Sequence, residues 1–528
     1  MTAESRPIAV IDFETDPFLY GRVPKSFAAG FYANREFHYF WGDNCVESLI
    51  IFLESLKTPH LIYAHNGGKF DFHFMLKYLE NPIKIIGTRI ASCKIGIHEL
   101  RDSYCALPIP LAAYEKTTID YRHFETENRE SHKNEIIEYL KDDCVFLHAL
   151  ISSFIERFGL KLTIGGASID QLRKLHPFDN QREGHDKKYR QFYFGGRVQA
   201  FKFGVFKAPV KIYDVNSMYP SVMKNAVHPT GKRYMTVRNQ IMDKHGRISG
   251  IADAPFYFAK VIAKLSGGGL PMRLPDSLDF SCVEGEFFTN SHEIKALLSH
   301  GLIKVSKVIE AHAPYETINF SDFVDTFSRE KIDAKRRGDK AAEIFAKLIL
   351  NSSYGKFAQS SEHYKDWRIE SGEVPPEPYE LAQNLGDFQL WNKPTLRHSF
   401  YDVATAASIT GASRAILLTA LVKAKNPYYC DTDSIICESA DELDIDPSRL
   451  GAWKFEGEGD KIAIGGKKLY SVFMGKECIK SASKGAILDG EGIERIAMGE
   501  SIQWKNDAPT FSLLKAPSFI DRRIQATK

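Results

Sequence analysis

Residues 428–436 read YYCDTDSII, two apolar arms closing on Asp431-Thr432-Asp433. Apolar runs on either side of a short polar tip form a β-hairpin. Two carboxylates at that tip, with no cation beside them in the sequence, repel each other, and a bound metal ion is the natural counter-charge. A plain acidic turn would waste that repulsion, so chemistry is the better reading even for this stretch alone.

Working outward, residues 210–220, VKIYDVNSMYP, read as an apolar strand ending at Asp214, with a turn that presents Asn216, Ser217 and Tyr219. Residues 341–357, AAEIFAKLILNSSYGKF, are helical. Lys347, Asn351 and Tyr354 fall at i, i+4 and i+7, one polar stripe opposite Ile344, Leu348 and Ile349. A lysine there suits a triphosphate and the tyrosine suits a base.

The N-terminal part repeats one plan. RPIAVIDFET (6–15) and HLIYAHNGG (60–68) are strand-like, the first ending in acids and the second followed by the helix-like FDFHFMLKYL. Asp12 and Glu14 stand at i and i+2, which in an extended chain turns both carboxylates to one side. Asp71 by itself suits a helix N-cap, and Tyr139 and Asp143 by themselves suit one face of a solvated helix. Together Asp12, Glu14, Asp71 and Asp143 offer four acids from separate elements, enough for two metals that activate water against a phosphodiester, with Tyr139 to orient that water.

The 528 residues suit two to four domains. Hydrophobic residues at 44% and charged residues at 26% mark a globular chain, and no segment approaches an uncharged apolar run long enough to span a bilayer. A formal net charge of +2 leaves any nucleic-acid role to local basic patches. The eight cysteines are scattered, which disfavours zinc or disulfide frameworks and fits a reducing compartment. The opening MTAESRPIAVI has neither a signal-peptide core nor a transit-peptide composition, so a cytoplasmic site is expected.

The three motifs of the second half closely resemble motifs A, B and C of family B DNA polymerases: Asp214 to Pro220, Lys347 to Gly355, and Tyr429 to Ser434. The N-terminal acids resemble the three exonuclease motifs of that family, at Asp12/Glu14, Asn66/Asp71 and Tyr139/Asp143. Finer features resemble its protein-primed branch, the viral and organellar type. They are Tyr193-Phe194-Gly195-Gly196, Lys468-Leu469-Tyr470, Lys116 with Ile119, Asp102-Ser103, and Thr410 with Arg414. HNGGKFD is one residue longer than the shortest family form, and Tyr104 replaces a commoner aliphatic residue.

The resemblance implies an α+β multidomain fold, with an RNase H-like 3′-5′ exonuclease domain over 1–185 and a right-hand polymerase domain over 186–528. Within the latter it implies palm at about 190–225 and 403–460, a first insertion at 226–325, fingers at 326–358, a second insertion at 359–402 and thumb from 461. Asp214, the Val215 carbonyl and Asp433 would hold two metals, Mg2+ with Mn2+ as substitute, beside Asp431, and the nuclease acids would hold up to two more. Tyr219, Lys335, Lys347, Asn351 and Tyr354 would bind the dNTP, Tyr219 by excluding a 2′ hydroxyl. Tyr193, Gly195, Gly196, Ser217, Thr410, Arg414, Thr432, Lys468 and Tyr470 would meet primer-template DNA. In the nuclease, Lys116 would assist the acids, while Thr15, His65, Asn66, Phe70 and Ser103 would grip single-stranded DNA.

The implied partner is a terminal, priming protein, with the chain a monomer or a heterodimer with that protein, no membrane, and strand displacement on a linear genome. Two other readings remain at this stage: a relative that starts DNA without a primer, and a nuclease or DNA-binding protein with a vestigial polymerase half.

Overall fold

The computed structural model describes residues 6–114, 118–360, 364–372, 374–395 and 401–527. Its first sheet grows around the strand Ile8–Thr15. That strand pairs antiparallel with Ser26–Ala33, which pairs antiparallel with Glu36–Trp41. On its other side it runs parallel to Leu61–Ala64, which is parallel to His98–Asp102. This is the RNase H-like strand arrangement. The strand reads as an unbroken apolar run because both faces are covered. Alternation sends Val10 into one core, with Leu140, Leu147 and Ile151 of helix Lys133–Phe158. Ala9 and Ile11 go into another, with Leu49 and Leu53 of helix Cys45–Ser55.

The same sheet continues through Arg89–Ile95 and Glu80–Ile86 into three strands from far along the chain, Lys365–Glu370, Gln389–Pro394 and Glu380–Asn384, making ten in all. The junction is the pair Trp367 and Ile83, with Asn81 bonding Ile369 through both its amide groups, Nδ2 to the carbonyl at 2.8 Å and Oδ1 from the N–H at 3.0 Å. The interval expected as a second insertion thus docks on the N-terminal domain.

The second large sheet has seven strands, with Gly204–Val215 between Trp453–Gly466 and Ser434–Ser439. Two helices, Ser321–Arg337 and Lys340–Phe357, form a hairpin turning at Gly338 (φ 72°), with Asp339 accepting a bond from the Ala342 N–H at 3.0 Å. Between these parts lies a four-stranded antiparallel sheet built from His228–Gln240, Ile303–Ile318, Phe258–Leu265 and Glu284–Asn290. The expected palm–thumb boundary at 460/461 falls inside a strand: Ile462 and Ile464 pair with Phe206 and Gly204, and Leu469–Met474 and Glu477–Ser483 extend the same sheet. The strand runs on across that point with a β-bulge between Gly459 and Lys461.

Helix Val403–Lys423 is long and apolar enough to cross a membrane by length and composition, although Arg414 and Lys423 keep it from being an uncharged run. It is a core helix instead, with 78% of its apolar window buried inside the fold.

Candidate active sites

The hairpin 428–436 and the strand Gly204–Val215 lie side by side, Ser434 opposite Asp214, and the Val215 N–H donates to the Asp433 carbonyl at 2.9 Å. That register brings Asp214 and Asp433 together at neighbouring strand ends in the middle of the sheet. The tip closes because Thr432 adopts φ 59° and its N–H donates to the Arg197 carbonyl at 2.8 Å. Gly196 lies so near that a Cβ there would sit 2.6 Å from Thr432 Oγ1.

Burial, then the charge of Asp433, pushes the Asp214 carboxyl up to about 7. Burial also raises Asp433, with Asp431 adding to it. Two half-buried carboxylates, Asp214 raised by Asp433 and Asp433 raised by Asp431, are a donor set that fits a hard divalent cation. Asp431 is otherwise engaged: Lys468 Nζ lies 2.5 Å from Oδ2 and Thr432 Oγ1 donates to Oδ1 at 3.1 Å. Lys468 is held there by its own N–H, which donates to the Tyr429 hydroxyl at 2.9 Å.

Beyond Val215 the chain turns through Ser217 (φ 53°) into helix Met218–Asn225, placing Tyr219 in its first turn. Its ring stacks on that of Tyr354 from the neighbouring helix hairpin, centroids 3.8 Å apart at 18°. Lys347 and Asn351 are exposed on the same helix as Tyr354, and Lys335 is exposed on the other. Lys331 also belongs to this group: burial lowers its pKa, and the charges of Lys347 and Lys335 lower it further. Sequence reasoning passed over Lys331, although its i, i+4 spacing from Lys335 is a face signal.

The N-terminal acids line a cavity of about 670 Å3, where Asp12, Glu14, Asp71, Asp143 and Tyr139 meet His65, Asn66 and Phe70. Ligand oxygens of Asp12, Glu14 and Asp143 lie within 4.8 Å of one another. Asp71 is 1% exposed, its Oδ1 has no hydrogen-bond partner, and burial followed by the charge of Asp12 raises its pKa well above the usual carboxylate range. An orphaned carboxylate oxygen beside three clustered ones fits a divalent cation. Burial, a bond with Tyr121 and the nearby Asp143 charge keep the Tyr139 hydroxyl protonated.

The lengthened HNGGKFD motif is accommodated as a tight turn, Gly67–Lys69, entered at Asn66 with φ 63°. A Cβ on Gly68 would lie 1.9 Å from the Ile90 carbonyl oxygen, so only glycine fits. Arg89, absent from the sequence reading, organises this corner: it donates to Asn66 Oδ1 at 2.7 Å and Asp102 Oδ2 at 2.5 Å, and its guanidinium lies 4.6 Å over the Tyr104 ring. Tyr104 therefore has a packing partner that an aliphatic residue would not offer. Tyr121 also lines the cavity and was not singled out.

Several expected DNA contacts are buried instead. Arg414 is 3% exposed, paired with Glu293 at 2.7 Å, and donates to the carbonyls of Phe194 and Gly195. It supports the Tyr193-Phe194-Gly195-Gly196 segment from behind. Thr410 is 1% exposed and bonds the Ala407 carbonyl within its own helix. Ser103 is buried between His65 Nδ1 (3.0 Å) and the Ala64 carbonyl (3.1 Å), so it orients the histidine rather than offering a surface. Thr15 and Tyr470 are buried as well, Tyr470 with its ring 4.7 Å from Tyr429, while Gly195 is exposed. Phe70 packs on Phe18, Phe74 and Phe511 and still lines the cavity. Lys116 lies outside the described residues.

Fold and sites define the class: a right-hand nucleotidyltransferase preceded by an RNase H-like domain. The family model described as DNA polymerase type B, organellar and viral, matches residues 94–444. A DNA-directed DNA polymerase of Enterobacteria phage PRD1 is 44% identical over 98% of this chain and 98% of its own length. The DNA polymerase of Bacillus phage phi29 is 25% identical over 76% of each chain. A solved Phi29 DNA polymerase complexed with primer-template DNA and incoming nucleotide substrates shares the fold, with TM-score 0.73 at 17% identity, covering 99% of this chain and 100% of that one. The chain belongs to the organellar and viral type B DNA polymerases, and it is a DNA-directed DNA polymerase.

Proposed function

We propose that this polymerase extends a primer 3′ hydroxyl at Asp214 and Asp433, edits that end in the Asp12 cavity, and begins chains on a hydroxyl of a priming protein. The observation that carries the reading is the pairing of two half-buried carboxylates of raised pKa, at neighbouring strand ends in the second sheet, with a lysine-bearing helix pair carrying Tyr354 against Tyr219. Mg2+ ions, held by Asp214, Asp433 and the Val215 carbonyl, would supply charge neutralisation for attack on the α-phosphate and departure of pyrophosphate.

Lys347, Lys335 and Lys331 would neutralise the triphosphate as it binds, and Asn351 lies on the same helix. Tyr219, fixed by its stack on Tyr354, would close the floor beneath the sugar and exclude ribonucleotides. Lys468 would hold Asp431 away from the reacting pair and reach the primer end with Tyr470 beside it. In the cavity, Asp12, Glu14, Asp71 and Asp143 would hold the nuclease cations, Tyr139 would orient water by donating its proton, and Phe70 would stack on the frayed base.

Residues 1–185 and 186–528 would be the two working halves, with the palm sheet running on to Ser483. Protein priming rests on Tyr193-Phe194-Gly195-Gly196, Lys468-Leu469-Tyr470 and the four-stranded insertion between motifs A and B, which would meet the priming protein. Replacing Asp12 and Glu14 by Ala is expected to slow 3′-5′ degradation of single-stranded DNA by roughly 10³-fold while primer extension stays at the wild-type rate. Unchanged degradation would remove the nuclease from the reading.

A further inference from the structure

Three side chains apart from both acid sites converge on the N-terminal domain. His123 lies in the short turn Tyr121–Phe124, His132 immediately precedes helix Lys133–Phe158, and Glu135 is in that helix's first turn. Their ligand atoms fall within 4.8 Å of one another, and Glu135 Oε2 is 3.2 Å from Nδ1 of each imidazole. The rings are stacked, centroids 3.6 Å apart at 7°. Glu135 Oε2 bonds His132 Nδ1, while His123 Nδ1, shut off from solvent, makes no well-aligned hydrogen bond.

The spacing matches a metal site. Tetrahedral ligands at about 2.0–2.1 Å from zinc stand roughly 3.3 Å from each other. Two imidazoles with one carboxylate select a borderline ion such as Zn2+, whereas Mg2+ prefers an all-oxygen shell.

We propose that His123, His132 and Glu135 bind one Zn2+-class divalent cation, with water in the fourth position. Since the rings are parallel, an ion in the plane of one is out of the plane of the other, and binding turns one imidazole about χ2. The bound ion ties the Tyr121–Phe124 turn to the helix that carries Tyr139 and Asp143. Tyr121 lines the Asp12 cavity and bonds Tyr139, so the ion fixes one wall of that cavity. This last consequence rests on the nuclease reading, and the binding does not.

The test uses the full chain, stripped with chelator, returned to excess Mg2+ to saturate the carboxylate sites, and titrated with Zn2+ or, for its visible spectrum, Co2+. One ion per chain that Mg2+ does not displace is expected, with the absorption of tetrahedral, nitrogen-ligated Co2+. His123→Ala and Glu135→Gln should each weaken binding by about tenfold or more while primer extension, the control for folding, is unchanged. Asp12→Ala should keep the ion. Wild-type affinity in both the His123→Ala and His132→Ala variants, or no Zn2+ bound by wild type in excess Mg2+, overturns the site. Degradation of single-stranded DNA at equal rates with and without Zn2+, the ion being bound, overturns the link to the cavity wall.

Discussion

Asp214 shows how far a single residue departs from what stability alone would choose. Its carboxyl is pushed up to about 7 by partial burial and by the charge of Asp433, so ionising it near neutral pH costs the fold more than it costs a fully solvated carboxylate. Function keeps such groups against their cost to the fold. In the presence of chelator, Asp214→Asn is therefore expected to raise the melting temperature of the polymerase half by about 2–4 °C and to abolish extension. Calorimetry checks this, and a lower melting temperature would mean that the two carboxylates are not in conflict. Asp71 carries the same signature in the cavity, an orphaned oxygen on a carboxylate raised by burial.

At the scale of elements, the acid motifs were legible because each is local: an apolar strand or helix with acids at a spacing that fixes their face. Asp12 with Glu14, and Asp431 with Asp433, need no distant partner to be read. Arg414 was not legible. Its partner Glu293 is 121 residues away, and a buried arginine and a DNA-binding one look alike in sequence. Arg89 escaped for the same reason, since Asn66 and Tyr104 become its partners only when strands Arg89–Ile95 and Leu61–Ala64 join one sheet.

The Arg414 pair ties helix Val403–Lys423 to helix Ser291–Ser299 and to the Phe194 and Gly195 carbonyls. Truncation leaves the Glu293 carboxylate buried without its counter-charge. Arg414→Met is thus expected to cost about 3–5 kcal/mol in denaturant unfolding. A phosphate-contacting arginine would instead leave stability alone and lower the salt slope of DNA binding by about one.

Across the whole molecule, the halves are joined by contacts that no motif announces. The hairpin strands of 365–394 extend the nuclease sheet, and the C-terminal segment returns to the same domain. There Lys69 Nζ donates to the Phe511 carbonyl at 3.1 Å, and the Tyr20 hydroxyl to Asp521 Oδ2 at 2.9 Å. These links tie both segments to the N-terminal domain. Replacing 364–395 by a short glycine linker is expected to preserve extension on an open template and to reduce synthesis through a downstream duplex by about tenfold or more. Equal loss on both templates would make the hairpin merely structural.

The central claim is that Asp214 and Asp433 carry the synthesis while a separate set of acids carries the degradation. The most direct measurement is primer extension and single-stranded DNA degradation by one preparation of Asp433→Ala. Extension lower by roughly 10³-fold with degradation at the wild-type rate is the predicted result. Extension at the wild-type rate would contradict it.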